Sequence, residues 1–345
     1  MDMGTLTFGV VLLLIAMALV FDFMNGFHDA ANSIATVVST GVLKPHQAVG
    51  FAAFFNFVAF FVFPLKVAAM VGKGTIDPAI IDHYVIFGAL SGAISWNLIT
   101  WYFGIPSSSS HALIGGLAGV ALAKAGPGSL QWAGLGKTLT FIVVSPLLGF
   151  VFGSVLMLAV GWIFFRFSQR RVDKYFRRWQ LLSAALYSLG HGGNDAQKTA
   201  GIIWMLLIAA TSANAAMMPQ WMQTRADHLP AWIVMACFVV ISLGTLFGGW
   251  RIVKTMGQRL TKLKPVGGFC AETGGAMTLF LATSMGVPVS TTHTITGAIV
   301  GVGATRRFSA VRWGVAGNII WAWLLTIPAS AAIGAAAWII GTRLL

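Results

Sequence analysis

Long apolar runs alternate along this chain with short polar segments. Five of the runs are long enough, or nearly so, for a helix to cross a bilayer, which takes roughly 20 residues. They are Leu6–Phe21, Phe51–Val71, Thr138–Phe165, Ala231–Trp250 and Trp313–Ile340. No Lys or Arg precedes the first run, so we predict a retained span and not a cleaved signal peptide. The pattern predicts an all-α polytopic membrane protein.

The polar segments between these runs form two matched pairs. Gly26–Ser33 reads GFHDAANS, and Gly192–Thr199, 166 residues later, reads GGNDAQKT. Gly104–His111 reads GIPSSSSH, and Gly286–His293, 182 residues later, reads GVPVSTTH. Polar segments repeated at matching positions of two hydrophobic halves are typical of secondary transporters, whose broken or re-entrant helices meet at the substrate site. We therefore predict two repeats and roughly 10–12 membrane segments.

Loop charge predicts how the repeats are oriented. We divide the chain into a first repeat (1–165), a basic cytoplasmic connector (166–178) and a second repeat (179–345). Loop 251–264 holds five basic residues and no acid, whereas its counterpart, 69–82, holds one basic residue and two acids. Because basic loops stay in the cytoplasm, equivalent loops should face opposite sides of the membrane. The sequence predicts inverted-topology repeats in the cell inner (plasma) membrane.

Composition narrows the possible partners. The chain is 57% hydrophobic and 9% charged, yet its net charge is +13. In a soluble protein that charge would suggest nucleic acid, but here the basic residues lie in loops between apolar runs. We expect them to contact anionic lipid headgroups, and we expect no nucleic-acid partner.

The hydroxyl-rich segments have the chemistry of an anion site. Ser107–Ser110 and Ser290–Thr292 follow Pro106 and Pro288, which suit the first turn of a helix. Hydroxyls and free N–H groups at a helix start, together with the helix dipole, bind anions. Two such starts from opposite halves could surround a tetrahedral oxyanion. Alternatively, the hydroxyls only satisfy the backbone of neighbouring helices.

The acidic segments suggest a second kind of site. Asp29 and Asp195 lie between apolar segments, and a carboxylate at membrane depth is costly enough to indicate function. Carboxylate, amide and carbonyl oxygens suit Na⁺ or a divalent metal, while His28 and His191 could carry protons. The structural alternative is an ion pair between Asp195 and Lys198 on adjacent turns.

Four other residues have open roles at this stage. Glu272 closely follows a basic loop, so a solvated interfacial glutamate and a coupling carboxylate are both consistent with its position. His111 and His293 end the hydroxyl runs and could either pack helices together or contact an anion. Asp22 could lie at the end of the first span.

The four motifs resemble those of the inorganic phosphate transporter (PiT) family. They are GFHDAAN (26–32), PSSSSH (106–111), GGNDAQK (192–198) and PVSTTH (288–293). The resemblance covers nearly the whole chain. It implies phosphate uptake across the cell membrane, coupled to a downhill cation by alternating access, and no enzymatic activity. The phosphate contacts it implies are Ser108, Ser109, Ser110, Ser290, Thr291 and Thr292, and the coupling residues it implies are Asp29, Asn32, Asn194 and Asp195.

Two departures from the family pattern bear on the coupling ion. His28 stands where sodium-coupled relatives tend to have Asn, and Gln197-Lys198 stands where they tend to have a small residue and Asn. We therefore add His28 and Lys198 to the candidate coupling residues, beside the separately considered Glu272, and favour H⁺ over Na⁺. Phosphate could travel as a complex with a divalent metal, although the sequence assigns no metal ligands. No other cofactor is expected, and a homodimer is an open alternative to a monomer.

Other functions remain as alternatives. A permease for sulfate or another tetrahedral oxyanion would use the same fold. Phosphate can donate hydrogen bonds and sulfate cannot, so buried acceptors beside the anion would favour phosphate. An intramembrane hydrolase would need one activated serine with one base, whereas the hydroxyls here are duplicated. An anion channel would show uptake that does not depend on a cation gradient.

Overall fold

The computed structural model describes residues 7–344, in which helices are joined by short turns and loops, and the β-structure is limited to an isolated bridge between Ile76 and Leu130. Residues 1–6, where the first predicted run and repeat begin, lie outside the described residues, as does Leu345. The all-α prediction is confirmed. The helices are α1 (Phe8–Ser39), α2 (Pro45–Val58), α3 (Lys66–Gly74), α4 (His83–Phe103), α5 (Ser109–Ala125), α6 (Trp132–Ile163), α7 (Gln169–Asn214), α8 (Ala231–Phe247), α9 (Trp250–Lys254), α10 (Pro265–Ser284), α11 (Thr291–Arg306) and α12 (Trp313–Leu344).

Single long helices and bent helix pairs are the candidate membrane spans. Five helices (α1, α4, α6, α7 and α12) are long and apolar enough to cross a membrane, and two bent pairs raise the number to seven. The pairs are α2 with α3, bent by 82°, and α8 with α9 and its π-helical extension, bent by 61°. The three remaining helices, α5, α10 and α11, are not among these candidates. The count of 10–12 membrane segments therefore stays a prediction.

Two predicted apolar runs are not straight spans. The run from Phe51 to Val71 breaks before α3, where Pro64 lacks an N–H group and disfavours a helical conformation in the residue before it. The run from Ala231 to Trp250 breaks at Gly248, whose φ of 66° is compatible with glycine but strained for other residues. Hydrophobicity alone therefore located these segments without revealing their bends.

The basic connector is mostly helical and not a free loop. From Gln169 onwards it forms the first turns of α7, which continues as one helix to Asn214. Arg177 on this part of α7 donates to the carbonyl of Gly41 at 2.9 Å, just beyond the end of α1. The connector is thus attached to the end of the first long helix.

The order of elements repeats along the chain. Each half has a long helix, a bent pair, two helices joined by a short polar turn, and a long helix with an internal proline, Pro146 in α6 and Pro328 in α12. We call α4–α5 the first hairpin and α10–α11 the second hairpin. Their connecting turns and first helical residues (104–110 and 286–292) are the first and second tips.

The leading helices of the two halves, α1 and α7, run antiparallel. In the middle of α1, Asp22 accepts a hydrogen bond from Thr199 at 2.7 Å. Near its end, Thr40 donates to Gln180 at 2.9 Å. Residue numbers therefore rise along α1 as they fall along α7. Equivalent helices that run in opposite directions are what an inverted-topology repeat requires.

The final helix of each half packs on the hairpin of the other half. α6 lies against α10 and α11, and α12 lies against α4 and α5. Glycines permit the close approach, since a Cβ on Gly297 would lie 2.1 Å from the Pro146 carbonyl oxygen and one on Gly115 would lie 2.7 Å from that of Ile327. The two halves are interlocked through these helices, which fixes where the tips lie.

One end of the molecule is strongly basic. There, Arg306 donates to the carbonyl of Lys262 at 3.3 Å, and the amide of Arg312 donates to the carbonyl of Leu260 at 3.0 Å. A Cβ on Gly257 would lie 2.7 Å from the Ala35 carbonyl oxygen, so the basic segment 251–264 is close to the end of α1. The positive-inside rule assigns this end to the cytoplasm.

Candidate substrate and coupling site

The tips of the two hairpins meet inside the protein. His111 and His293, each in the first turn of its second arm, have ring centroids 4.6 Å apart. The Ser110 hydroxyl donates to the carbonyl of Val289 at 3.3 Å, which links one tip directly to the other. The duplicated hydroxyl segments therefore belong to one site.

Serine caps, and not prolines, begin the helices at the tips. Ser108 accepts from the amide of His111 at 3.2 Å, and Ser290 accepts from the amide of His293 at 3.2 Å. Each hydroxyl satisfies an N–H of the first turn, which leaves its own hydrogen available to a ligand. Pro106 and Pro288 lie two residues before these caps. The prediction that they occupy the first helical turn was wrong, because the serines end the extended segment first.

The second tip is bonded to both acidic segments. The Asn32 amide donates to the hydroxyls of Thr291 at 3.2 Å and Thr292 at 2.9 Å. The Thr291 hydroxyl donates to Asp195 Oδ2 at 3.2 Å. Tyr187 donates to the carbonyl of Thr291 at 2.9 Å. The candidate substrate hydroxyls and the candidate coupling residues are therefore parts of one hydrogen-bond network.

Lys198 bridges the two tips. Its ammonium lies 2.6 Å from Asp195 Oδ1 and 2.6 Å from the carbonyl of Val289, and it also donates to the Ser110 hydroxyl. The side chain is buried, so this charge is held by a carboxylate, a carbonyl and a hydroxyl in place of water. The ion pair with Asp195, the structural alternative at the sequence level, is present, and it lies between the hydroxyl segments.

Ser109 differs from the other tip hydroxyls. Its side chain is fully buried, and within the described part of the chain its Oγ has no hydrogen-bond partner. A buried hydroxyl without a partner is costly unless it has another role. Ser109 is thus available for a ligand at the first tip.

His28 connects Asp29 to the first tip. His28 Nδ1 lies 2.6 Å from Asp29 Oδ1, and Nε2 lies 3.1 Å from the hydroxyl of Thr100. Ser107 donates to the same hydroxyl at 2.9 Å. His28 thus links the carboxylate of Asp29 on one side to the hydroxyls of Thr100 and Ser107 on the other.

Asp29, His191 and Asp195 form a group that could hold a metal ion. One ligand atom from each lies within 4.8 Å of the others, and all three side chains are buried. His191 Nδ1 lies 3.1 Å from Asn56 Oδ1, which leaves Nε2 facing Asp195 Oδ2 at 3.5 Å. Two carboxylates and an imidazole suit a divalent cation such as Mn²⁺ or Zn²⁺.

Asn194 supports the second tip. Its amide donates to the Thr283 hydroxyl at 2.9 Å and to the Val287 carbonyl at 3.2 Å, and its Oδ1 accepts from the Val289 amide at 3.2 Å. These bonds use the whole side chain. The structure therefore places this predicted coupling residue as a support that holds the turn of the second hairpin.

Glu272 lies apart from the central network. Its carboxylate is fully buried, so the solvated interfacial alternative was wrong. It accepts from Gln180 at 2.9 Å and from Ser183 at 2.5 Å. Ser183 precedes Asp195 by about 18 Å along α7, given a rise of roughly 1.5 Å per residue. Glu272 is thus nearer the basic end of the molecule than the tips.

Sequence reasoning missed several members of the network. Tyr187 and Thr100 bind the second tip and His28, but neither lies in a repeated motif. Asn56 on α2 contacts both His191 and Thr245, which are distant in sequence. A polar residue in a predicted span was the available signal for Asn56. Asp22, whose position was open, is fully buried inside α1 and not at its end.

The site is closed on both sides in this conformation. The six predicted substrate residues, together with Asp29, Asp195 and Lys198, are each at most 2% exposed. A ligand can reach the tips only after one of the two sides opens. Closure of this kind is expected of an occluded state in a transport cycle.

Comparison with known proteins agrees with this architecture. A family model described as the phosphate transporter family matches residues 25–334. A probable low-affinity inorganic phosphate transporter of Rhizobium meliloti is 60% identical over 96% of each chain. One of Bacillus subtilis is 45% identical over 96% of this chain and 97% of its own. This chain belongs to the phosphate transporter family.

A solved structure also matches the whole fold. It is titled the sodium-dependent phosphate transporter, has a TM-score of 0.86 at 25% identity, and the match covers 98% of this chain and 100% of the other. Family membership makes the chain a multi-pass plasma-membrane transporter and not an enzyme. The predicted PiT resemblance is confirmed.

Proposed function

We propose that this chain imports inorganic phosphate by proton symport, through alternating access around the two tips. The observation that carries this proposal is the buried ammonium of Lys198, held by Asp195, Val289 and Ser110. Phosphate binding between the tips follows from the duplicated hydroxyls and helix starts, which donate from both halves.

The proton preference rests on what occupies the oxygen-rich position between the tips. A carboxylate, a carbonyl and a hydroxyl are the ligands that a hard cation such as Na⁺ would use. The ammonium of Lys198 already fills that position, so a dissolved cation is not needed to balance Asp195 there. His28, bonded to Asp29, supplies a group that can gain and lose a proton instead.

Uptake into proteoliposomes distinguishes the two coupling ions. An imposed inward proton gradient without Na⁺ should drive concentrative uptake of labelled phosphate, and an inward Na⁺ gradient at equal pH should not. The sodium-dependent structural neighbour makes sodium coupling the main alternative. Uptake that requires Na⁺ and ignores the proton gradient would refute the proposal.

Replacing Lys198 tests its role in this choice. Lys198→Asn should empty the oxygen-rich position, abolish most proton-driven uptake and make the residual uptake sensitive to Na⁺. Lys174→Asn is the matched control, since Lys174 is an exposed lysine on the same helix. The control should behave like the unmodified protein.

Asp195 also favours phosphate over sulfate. Its Oδ2 accepts from Thr291 at the second tip, so an acceptor lies beside the hydroxyls that would hold the anion. Phosphate near neutral pH carries a proton that such an acceptor can bind, and sulfate does not. Unlabelled phosphate should compete with labelled phosphate far better than equimolar sulfate.

A second candidate form of the substrate is a divalent metal–phosphate complex. The group formed by Asp29, His191 and Asp195 supports it, because these ligands lie next to the tip hydroxyls. In this form the metal is cargo and travels with the anion. Removing Mg²⁺ and other divalent ions with a chelator should then reduce phosphate uptake, and labelled metal should enter with phosphate. Unchanged uptake would leave phosphate alone as the substrate.

A further inference from the structure

An internal ion pair closes the base of the first hairpin, where its two arms are farthest from the tip. Asp82, which caps the start of α4, places Oδ2 2.5 Å from the ammonium of Lys124 in the last turn of α5. Lys124 also donates to the carbonyl of Ile80 at 2.7 Å. One cation, one carboxylate and one carbonyl thus join the two arms.

The base of the second hairpin has equivalent positions for the cation and the carbonyl, but it lacks the carboxylate. The 182-residue offset that relates the tips places Lys264 at the position of Asp82 and Arg306 at the position of Lys124. Arg306 donates to the carbonyl of Lys262, as Lys124 does to the equivalent carbonyl. The carboxylate position, however, is occupied by a lysine. Two cations therefore stand where the first hairpin has an ion pair.

A cavity of about 470 Å³ opens at this base. Basic residues line it from the segment just before α10 (Lys262), from the end of α11 (Arg306) and from the turn that follows (Arg307 and Arg312), and Ser309 adds a hydroxyl. Neither Asp nor Glu is among the lining residues. A planar guanidinium can donate two parallel N–H bonds to two oxygens of one phosphate, so the lining suits a phosphate group better than a simple halide.

We infer that the cytoplasmic base of the second hairpin is an anion site that takes a phosphate group from outside the chain, in place of the carboxylate that Asp82 supplies to the first hairpin. The group can come from an anionic lipid headgroup or from free inorganic phosphate in the cytoplasm. A bound anion joins the segment that leads into α10 to the end of α11, and so restrains the hairpin whose tip carries Thr291. This inference does not depend on the coupling ion.

Thermal unfolding in nanodiscs tests the site without relying on transport. The reference is the protein in phosphatidylcholine alone. One arm replaces part of that lipid with phosphatidylglycerol, and the other adds inorganic phosphate. Either anion source should raise the unfolding temperature of the unmodified protein by roughly 2–4 °C, the shift expected for a modest gain in stability.

The variant Lys264→Asp separates this site from the transport site. The new carboxylate should pair with Arg306, raise the unfolding temperature without any anion, and remove the further rise that the anion gives. Phosphate binding at the tips is common to both proteins, so the difference between their responses to phosphate reports the base alone. Lys44→Asp is the matched control, because Lys44 also occupies a helix N-cap at the basic end. It should keep the anion response.

The pattern of responses identifies the source. If Lys264→Asp loses only the rise that phosphatidylglycerol gives, the source is a lipid headgroup. If it loses only part of the rise that phosphate gives, the source is the soluble anion. The reciprocal variant Asp82→Lys should lower the unfolding temperature and make the first hairpin respond to anions. The inference is refuted if neither source stabilises the unmodified protein, or if Lys264→Asp responds as strongly as the control.

Discussion

At the scale of single residues, the site is a set of polar side chains that satisfy one another in the absence of water. Lys198, Asp195 and Thr291 form one continuous series of contacts from the first tip to the second. Within this series a buried charge is tolerated because its partner is also buried and bonded. Replacing only one side chain of the Lys198–Asp195 pair should therefore destabilise the protein more than replacing both.

Lys198→Met should destabilise the protein by about 3–5 kcal/mol, because Asp195 would remain charged and unpaired inside. The double variant Lys198→Met with Asp195→Asn should be more stable than the single one. Thermal or denaturant unfolding in detergent measures both, compared with Asp195→Asn alone. Additive losses in the double variant would show that the two side chains do not form an energetically coupled pair.

Ser109→Ala should weaken phosphate binding without harming the fold. The hydroxyl has no partner in the described structure, so its removal leaves no other buried group unsatisfied. A hydrogen bond to a charged ligand contributes about 1.5–3 kcal/mol, so KM for phosphate should rise by about 10- to 150-fold.

Uptake measured against phosphate concentration, together with the unfolding temperature, checks this prediction. Ser242→Ala is the control, since its buried hydroxyl donates within α8 to the Phe238 carbonyl. If Ser109→Ala instead lowers stability and leaves KM unchanged, Ser109 has a structural role.

The sequence predicted these residues to different degrees. Asp29, Asp195 and the hydroxyl runs could be found because each is repeated, and repetition in an apolar chain marks function. Tyr187 and Asn56 could not be found in this way, since their roles depend on contacts with α11 and α7 that only the folded chain creates. The position of Glu272 depends on α7 in the same way.

At the scale of elements, helix crossings fix the site. α1 crosses α8 at Gly26, and α7 crosses α2 at Gly192, its counterpart in the second half. Both glycines lie next to the acidic motifs. α1 and α7 continue through this region without interruption. The glycines serve close packing and do not end the helices.

Gly26→Ala and Gly192→Ala should each destabilise the protein by about 1–3 kcal/mol through overpacking. A Cβ at these positions would lie 2.1 Å from the Ile241 carbonyl oxygen and 2.5 Å from that of Asn56. Gly50→Ala on α2 is the control, as nothing lies within 4 Å of its added Cβ. The unfolding temperature and the yield of monodisperse protein measure the effect, and equal values for all three variants would contradict it.

At the scale of the whole molecule, the antiparallel course of α1 and α7 relates the two halves. The same relation explains why α6 packs on the second hairpin and α12 packs on the first. It also explains why basic segments of the connector and of the second half lie at the same end of the molecule. Loop charge alone predicted this orientation, because cytoplasmic loops carry an excess of Lys and Arg that can be counted in the sequence. The interlocking of the halves could not be predicted in this way.

The orientation can be measured with single cysteines. Ala79→Cys and Asp227→Cys should react with a membrane-impermeant thiol reagent added outside intact cells, because both lie at the end opposite the basic segments. Lys254→Cys and Arg178→Cys should react only in inverted vesicles. The native Cys237 and Cys270 are buried and would be replaced by alanine in every variant.

Ala79 and Lys254 lie in equivalent loops of the two halves, so labelling of both from the same side would rule out an inverted repeat. Retained phosphate uptake in each variant would ensure that the labelled protein has its native arrangement, and the result would then decide whether one hairpin enters from each side of the membrane.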